Sequence, residues 1–248
     1  MSVINILKAL FLFFISGFVF ASNVEHSLST IKFNVSDEKS LQRGSKVYIE
    51  NCLGCHSLKY VRFKALAEGI GVVTTENEVL SDYIKKNWTF NVTNINNSVL
   101  SNMKSLDAVK WFGKTPPDLS LITRYRGSNW VYTYMNSFYY DNTKVWNVNN
   151  LIYPDVAMPH VFLGKQGVQK AVYNKNGTIS ELILVGDGSM STAGYKSMVY
   201  DLVNFLTYVG EPTKELRVRI GYYVLPFLVV FTIFSYYLYK DYWKNIKK

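Results

Sequence analysis

Five consecutive residues carry the sharpest chemistry in this chain: Cys52-Leu53-Gly54-Cys55-His56. Two thiols three positions apart, followed at once by an imidazole, suit few kinds of site. A redox dithiol uses the same spacing but wants a thioredoxin-like βαβ setting, which the flanking sequence does not offer. A structural zinc site needs a second ligand knuckle, and the chain has only these 2 cysteines. A disulfide across two intervening residues is rare. Covalent haem attachment remains, and the Cys-x-x-Cys-His pattern points to it directly. The two thiols add to two vinyl groups on one edge of a porphyrin, and the next residue turns its imidazole under the iron.

An iron that only carries electrons usually has a Met or His opposite the proximal His. The candidates are Met103, Met135, Met158, Met190, Met198, His26 and His160. Met135 and Met198 fall on amphipathic helical segments, where methionine more often packs a core. Met103 lies in a polar stretch soon after His56, and Met190 stands among small polar residues. Met158, in Asp155-Val156-Ala157-Met158-Pro159-His160, sits on a loop, and the proline after it limits the backbone and holds the sulfur at a fixed distance. His160 is its rival; the alternative for that residue is a surface or supporting histidine. Haem also brings two propionates. Arg124 and Arg126 are candidates to meet them, because a guanidinium forks onto a carboxylate; otherwise they form a solvated basic loop.

These residues need elements to place them. Ser36-Asp37-Glu38 predicts a helix start, with Ser36 as cap, and Leu41, Gly44, Val47 and Tyr48 recur at helical spacing up to Cys52. Residues 64–113 read as irregular, with mixed helical turns and an Asn-rich surface loop (Asn91, Asn94, Asn96, Asn97). Pro116-Pro117 breaks the chain, and residues 130–138 read as a helix. Loops fill 142–170. Asn176-Gly177 between apolar runs predicts a hairpin over 172–185. Leu202, Phe205, Leu206 and Val209 mark an amphipathic helix over 197–209, ended by Gly210 and Pro212. A linker is expected at 213–219.

Composition sets the surroundings. Apolar residues are 48% of the 248, so a packed core is available, whereas charged residues are only 18%, below the usual quarter or so. Two uncharged stretches, 9–21 and 220–239, account for that deficit. The first, of thirteen residues after Lys8, is short for a span and suits a signal peptide cleaved after Ala21, with Val19 at the −3 position. His26 then follows the cleavage site too closely to be a good ligand. The second, of twenty residues, spans about 30 Å as a helix, a bilayer core. Tyrosines crowd its ends, and Lys240, Lys244, Lys247 and Lys248 follow it, which predicts a cytoplasmic tail and a haem domain on the other side. The expected organisation is a signal peptide at 1–21, a periplasmic domain at 22–213, and an anchor with tail at 214–248 of a bacterial inner membrane. The net charge of +9 does not indicate nucleic acid, because residues 214–248 alone contribute +5 and no binding motif accompanies it. A multi-disulfide scaffold is excluded, and no distal catalytic His, Arg or acid can be assigned.

Taken together, the chain resembles the cytochrome c1 family, the haem subunits of the cytochrome bc1 complex (ubiquinol–cytochrome c reductase), in a proteobacterial form. The resemblance rests on the stretch from Arg43 to Tyr60 (RGSKVYIENCLGCHSLKY), on Pro116-Pro117-Asp118-Leu119-Ser120, on Arg124-Tyr125-Arg126-Gly127, on Met158-Pro159-His160-Val161, on residues 198–212, and on the single C-terminal span. Every c-type cytochrome shares Cys-x-x-Cys-His; Ser57-Leu58-Lys59-Tyr60 and the Pro-Pro-Asp-Leu-Ser segment are far more specific. The resemblance implies a mainly α fold: an enlarged class I cytochrome c domain with loop insertions and a small hairpin, plus one C-terminal transmembrane helix. It implies one covalently attached haem c, bound by Cys52, Cys55 and His56, with Met158 as sixth ligand and Arg126 against a propionate; Arg124 and Pro117 are expected to bind the cofactor as well. Partners would be cytochrome b and a Rieske iron–sulfur protein in a dimeric complex, with a cytochrome c as electron acceptor. Members that dock a basic cytochrome c often carry acidic surfaces, whereas residues 22–213 here are formally +3. A haem subunit of another membrane redox complex and a tethered haem sensor are the alternatives.

Overall fold

The computed structural model describes residues 27–76, 78–88 and 94–244. The expected signal peptide, His26, Asn91, Lys247 and Lys248 lie outside the described residues. Among those described, the helices are α1 (Glu38–Asn51), α2 (Phe63–Gly69), α3 (Ser81–Asn87), α4 (Ser105–Phe112), α5 (Ile122–Tyr125), α6 (Ser128–Asn136), α7 (Leu163–Gln166), α8 (Thr192–Gly210) and α9 (Lys214–Tyr242). Three antiparallel two-stranded pairs accompany them: β1 (Leu58–Arg62) with β2 (Ser98–Val99), β3 (Phe138–Tyr140) with β4 (Val148–Asn150), and β5 (Gly167–Tyr173) with β6 (Ile179–Asp187). The protein is mainly helical.

The crossing of α1 on α8 organises the core. Leu41, Gly44, Ser45, Tyr48 and Ile49 form the buried stripe of α1. A Cβ on Gly44 would stand 2.0 Å from the carbonyl oxygen of Asp201, so the two backbones touch there and only glycine fits. Beside that contact the buried Asp201 carboxylate receives Arg43 at 2.6 and 2.9 Å and Ser40 Oγ at 2.7 Å. A buried charge needs such partners to be tolerated. Val199, Leu202, Val203, Phe205, Leu206 and Val209 of α8 complete the core. Tyr195 ties α8 to α6 by donating to Met135 O at 2.7 Å, and Thr123 ties α5 to α8 by donating to Leu206 O at 3.1 Å.

Several boundaries differ from the sequence reading. The cap of α1 is Asp37, which accepts from Ser40 N at 3.0 Å; Ser36 instead donates to the Glu215 carboxylate. Helix α8 begins at Thr192, five residues before the expected 197, because Ser191 accepts from Gly194 N at 3.1 Å and caps it there. The expected helix over 130–138 is α6, shifted to 128–136, and Phe138 belongs to β3. The expected linker 213–219 is helical from Lys214, so only 211–213 separate α8 from α9. Charged residues break no helix; they merely marked the edge of the apolar run. At 29 residues α9 is about 44 Å long. It runs through Pro226, and none of its residues is buried.

Candidate functional site

The attachment segment is one tight turn that continues α1. Cys52 N and Leu53 N both donate to Tyr48 O (2.8 and 3.0 Å), and Cys55 N and His56 N both donate to Cys52 O (3.0 and 2.8 Å). Tyr48 Oη donates to His56 O at 2.5 Å. The two thiols and the imidazole are therefore fixed by a few bonds within nine residues. Both cysteines are unbridged, Cys52 buried and Cys55 half-buried. Burial pushes the Cys52 thiol up to about 12 and raises that of Cys55 as well, so both are neutral S–H groups.

A second segment is stapled to the first. His56 Nδ1 lies 2.8 Å from Pro117 O. A carbonyl can only accept, so Nδ1 carries the hydrogen and Nε2 keeps its lone pair free for a metal. Burial lowers the imidazole below its ordinary value, against the opposing pull of that bond and of Asp118, which favours the neutral ring. Three further bonds hold the segments together: Leu119 N to Ser57 O at 2.9 Å, Lys59 N to Asp118 Oδ2 at 2.8 Å, and Tyr60 N to Ser120 Oγ at 3.3 Å. The role of Asp118 and Ser120 was not read from sequence. The signal was present, since two short acceptors flank Leu119 and can serve unpaired N–H groups. From the other side Ser101 Oγ donates to Gly54 O at 2.7 Å.

The loop that carries Met158 is held differently. Two adjacent asparagines anchor it: Asn150 Oδ1 accepts from Ile152 N and Tyr153 N (3.1 and 3.2 Å), and Asn149 Oδ1 accepts from Asp155 N (2.9 Å). Met158 is half-buried against the core, and Tyr134 Oη donates to its sulfur at 3.5 Å. His160 is buried and stacks on Phe138 (4.7 Å, 1°). Burial pushes its imidazole down to about 4, against the opposing pull of the nearby Gln166 side chain. It is a neutral ring stacked on one aromatic face.

Arg126 and Arg124 part company. The Arg126 guanidinium lies over Tyr125 and Trp130, 5.0 Å from each, and over Tyr153 at 5.9 Å. Trp130 and Tyr153 also contact Tyr134, so Arg126 and Met158 flank one aromatic cluster. Arg124 instead forms an ion pair with Glu211, which also binds Arg217, at the junction of α8 and α9. Met135 is buried in the core, and Met190 and Met198 pack against it. Met103 is half-buried, its N–H on Ser101 Oγ at 3.1 Å.

Residues 28–246 match the model of the cytochrome C1 family. The chain belongs to that family. Cytochrome c1 of Allochromatium vinosum is 40% identical over 98% of this chain and 99% of its own length. A Nitrosomonas europaea protein named ammonia monooxygenase gamma subunit is 37% identical over 91% of this chain and 92% of its own. A Bradyrhizobium diazoefficiens protein named cytochrome b/c1 is 28% identical over 86% of this chain and 34% of its own length. Cytochrome c1 proteins carry one covalently bound haem c and are membrane-anchored electron-transfer subunits of the bc1 complex, beside cytochrome b and the Rieske protein. The donors present fit that group. Two neutral thiols stand one turn from an imidazole whose Nε2 is free, and a half-buried thioether has its own supporting donor.

Proposed function

We propose that the chain is a membrane-anchored c-type cytochrome passing electrons from a Rieske iron–sulfur protein to a cytochrome c within a dimeric quinol–cytochrome c reductase. When bound, the haem supplies a one-electron ferric/ferrous couple. Cys52 and Cys55, both unbridged thiols, would hold it covalently, one thioether link from each. His56 would hold the iron through Nε2, because Pro117 O fixes the ring and its tautomer through Nδ1. Met158 would hold the iron as well, through the thioether that Tyr134 supports. Arg126 is assigned to a propionate; it has aromatic neighbours and no carboxylate among the described residues, whereas Arg124 is taken by Glu211. As an isolated chain it turns over no substrate.

The single observation that carries this reading is the Nδ1 bond of His56, which leaves the other ring nitrogen free beside two unbridged thiols. The domain is read as an enlarged class I cytochrome c fold over 22–213, exported by a signal peptide at 1–21. Helix α9 anchors it, with the haem domain in the periplasm and the tail cytoplasmic, because Lys240 and Lys244 follow the span. The name cytochrome b/c1 of the Bradyrhizobium relative supports a place beside cytochrome b. A second reading, a haem subunit of another membrane redox complex, is favoured by the name of the Nitrosomonas relative.

A reduced-minus-oxidised spectrum of membranes, with a quinol donor and with or without a bc1 inhibitor, separates the two. The first reading expects haem c reduction that the inhibitor blocks; inhibitor-insensitive reduction favours the second. Reporter fusions after Lys248 and near Thr213 test the orientation, and both on one side would refute a single span.

A further inference from the structure

Nothing in the sequence distinguishes Tyr134 among the chain's 19 tyrosines. The structure does: its phenol Oη–H donates to Met158 Sδ at 3.5 Å. Its ring is held on three sides. Trp130 lies parallel at 5.1 Å and 11°, Phe138 meets it edge-on at 5.1 Å and 70°, and Tyr153 at 6.4 Å and 73°. Asn150 Nδ2 also donates to Tyr134 O at 2.8 Å, which ties the same residue to the anchor of the Met158 loop. The phenol cannot swing away without unpacking α6.

A thioether sulfur has two lone pairs, and only one can be given to a metal. We propose that Tyr134 is a positioning residue for Met158: its O–H occupies the second lone pair, seats the sulfur, and raises the reduction potential of the haem. This rests on the reading of Met158 as the axial ligand. A hydrogen bond draws electron density from sulfur and makes it a weaker donor. A weaker donor stabilises the ferric state less, so the couple moves up.

Tyr134→Phe isolates the effect, because it keeps the stacked ring and removes only the O–H. The full-length protein is titrated in its own membranes, following both the reduced haem c band and the near-infrared charge-transfer band of thioether-bound ferric haem. The charge-transfer band should persist while the midpoint falls. Poised at the wild-type midpoint, the ferrous-to-ferric ratio should drop about tenfold, equivalent to about 59 mV for a one-electron couple. Tyr134→Leu removes the ring as well and should add carbon monoxide binding to that fall. A Tyr134→Phe protein with its band retained and its midpoint unmoved overturns the proposal. Met158→Leu is run alongside. If it abolishes the band while Tyr134→Phe leaves the midpoint in place, only the role of Tyr134 fails; if it keeps the band, the axial assignment fails and the proposal with it.

Discussion

The two halves of the site are built on opposite plans. On the His56 side, the thiols and the imidazole share one turn, and most of what holds them is main chain: Tyr48 O, Cys52 O, Ser57 O and Pro117 O. On the Met158 side, the loop is held by side chains: Asn149 and Asn150 at its start, and Tyr134 from α6. Main-chain acceptors survive substitution; side-chain anchors do not. The first half should therefore fail only when its reacting atoms are removed, and the second should loosen with each anchor lost.

The largest effect follows from removing the reacting atoms. Cys52→Ala with Cys55→Ala should leave no covalent haem, read as loss of haem staining on denaturing gels; a stained band would end the attachment reading.

Next in size, Met158→Leu should keep covalent haem and similar volume but lose the thioether. The potential should fall, carbon monoxide should bind the reduced protein, and quinol-to-cytochrome c electron transfer should stop or slow severely. His160→Ala should leave the visible spectrum nearly unchanged, since its ring stacks on Phe138. Loss of low-spin character in the His160 variant alone would make the site bis-histidine.

Asn150→Ala removes a buried anchor that accepts from two loop N–H groups and donates to Tyr134 O. It should cost about 2–3 kcal/mol in thermal or denaturant unfolding and open the reduced haem partly to carbon monoxide.

Asp118→Ala should cost least, about 1 kcal/mol, because the Pro117 and Leu119 main-chain bonds remain when Lys59 N and Ser120 N lose their acceptor. If it destabilises more than Asn150→Ala, the contrast between the halves is wrong and the His56 side also depends on side chains.

What could be read in advance follows the same divide. Helix α1 was legible because its stripe repeats every three to four residues, yet its cap was misplaced by one, since Ser36 and Asp37 are both good caps and only Ser40 N decides between them. Arg124 and Arg126 look alike as neighbours in a basic pair. Their separation depends on Glu211, 87 positions beyond Arg124, arriving beside one and not the other. The start of α9 was missed because Lys214, Glu215 and Arg217 are good helix formers that hide where apolar composition begins.

The sequence by itself determined whatever depends on spacing along one segment: Cys52, Cys55 and His56 in a single turn, the apolar length of α9, and the stripe of α8. Tertiary structure alone decided which groups support them. Pro117 O serves His56 across 61 positions, and Tyr134 reaches Met158 across 24. The physical reason is that every residue carries a carbonyl and this chain has many phenols, so neither has a signature until folding brings one of them within hydrogen-bond reach.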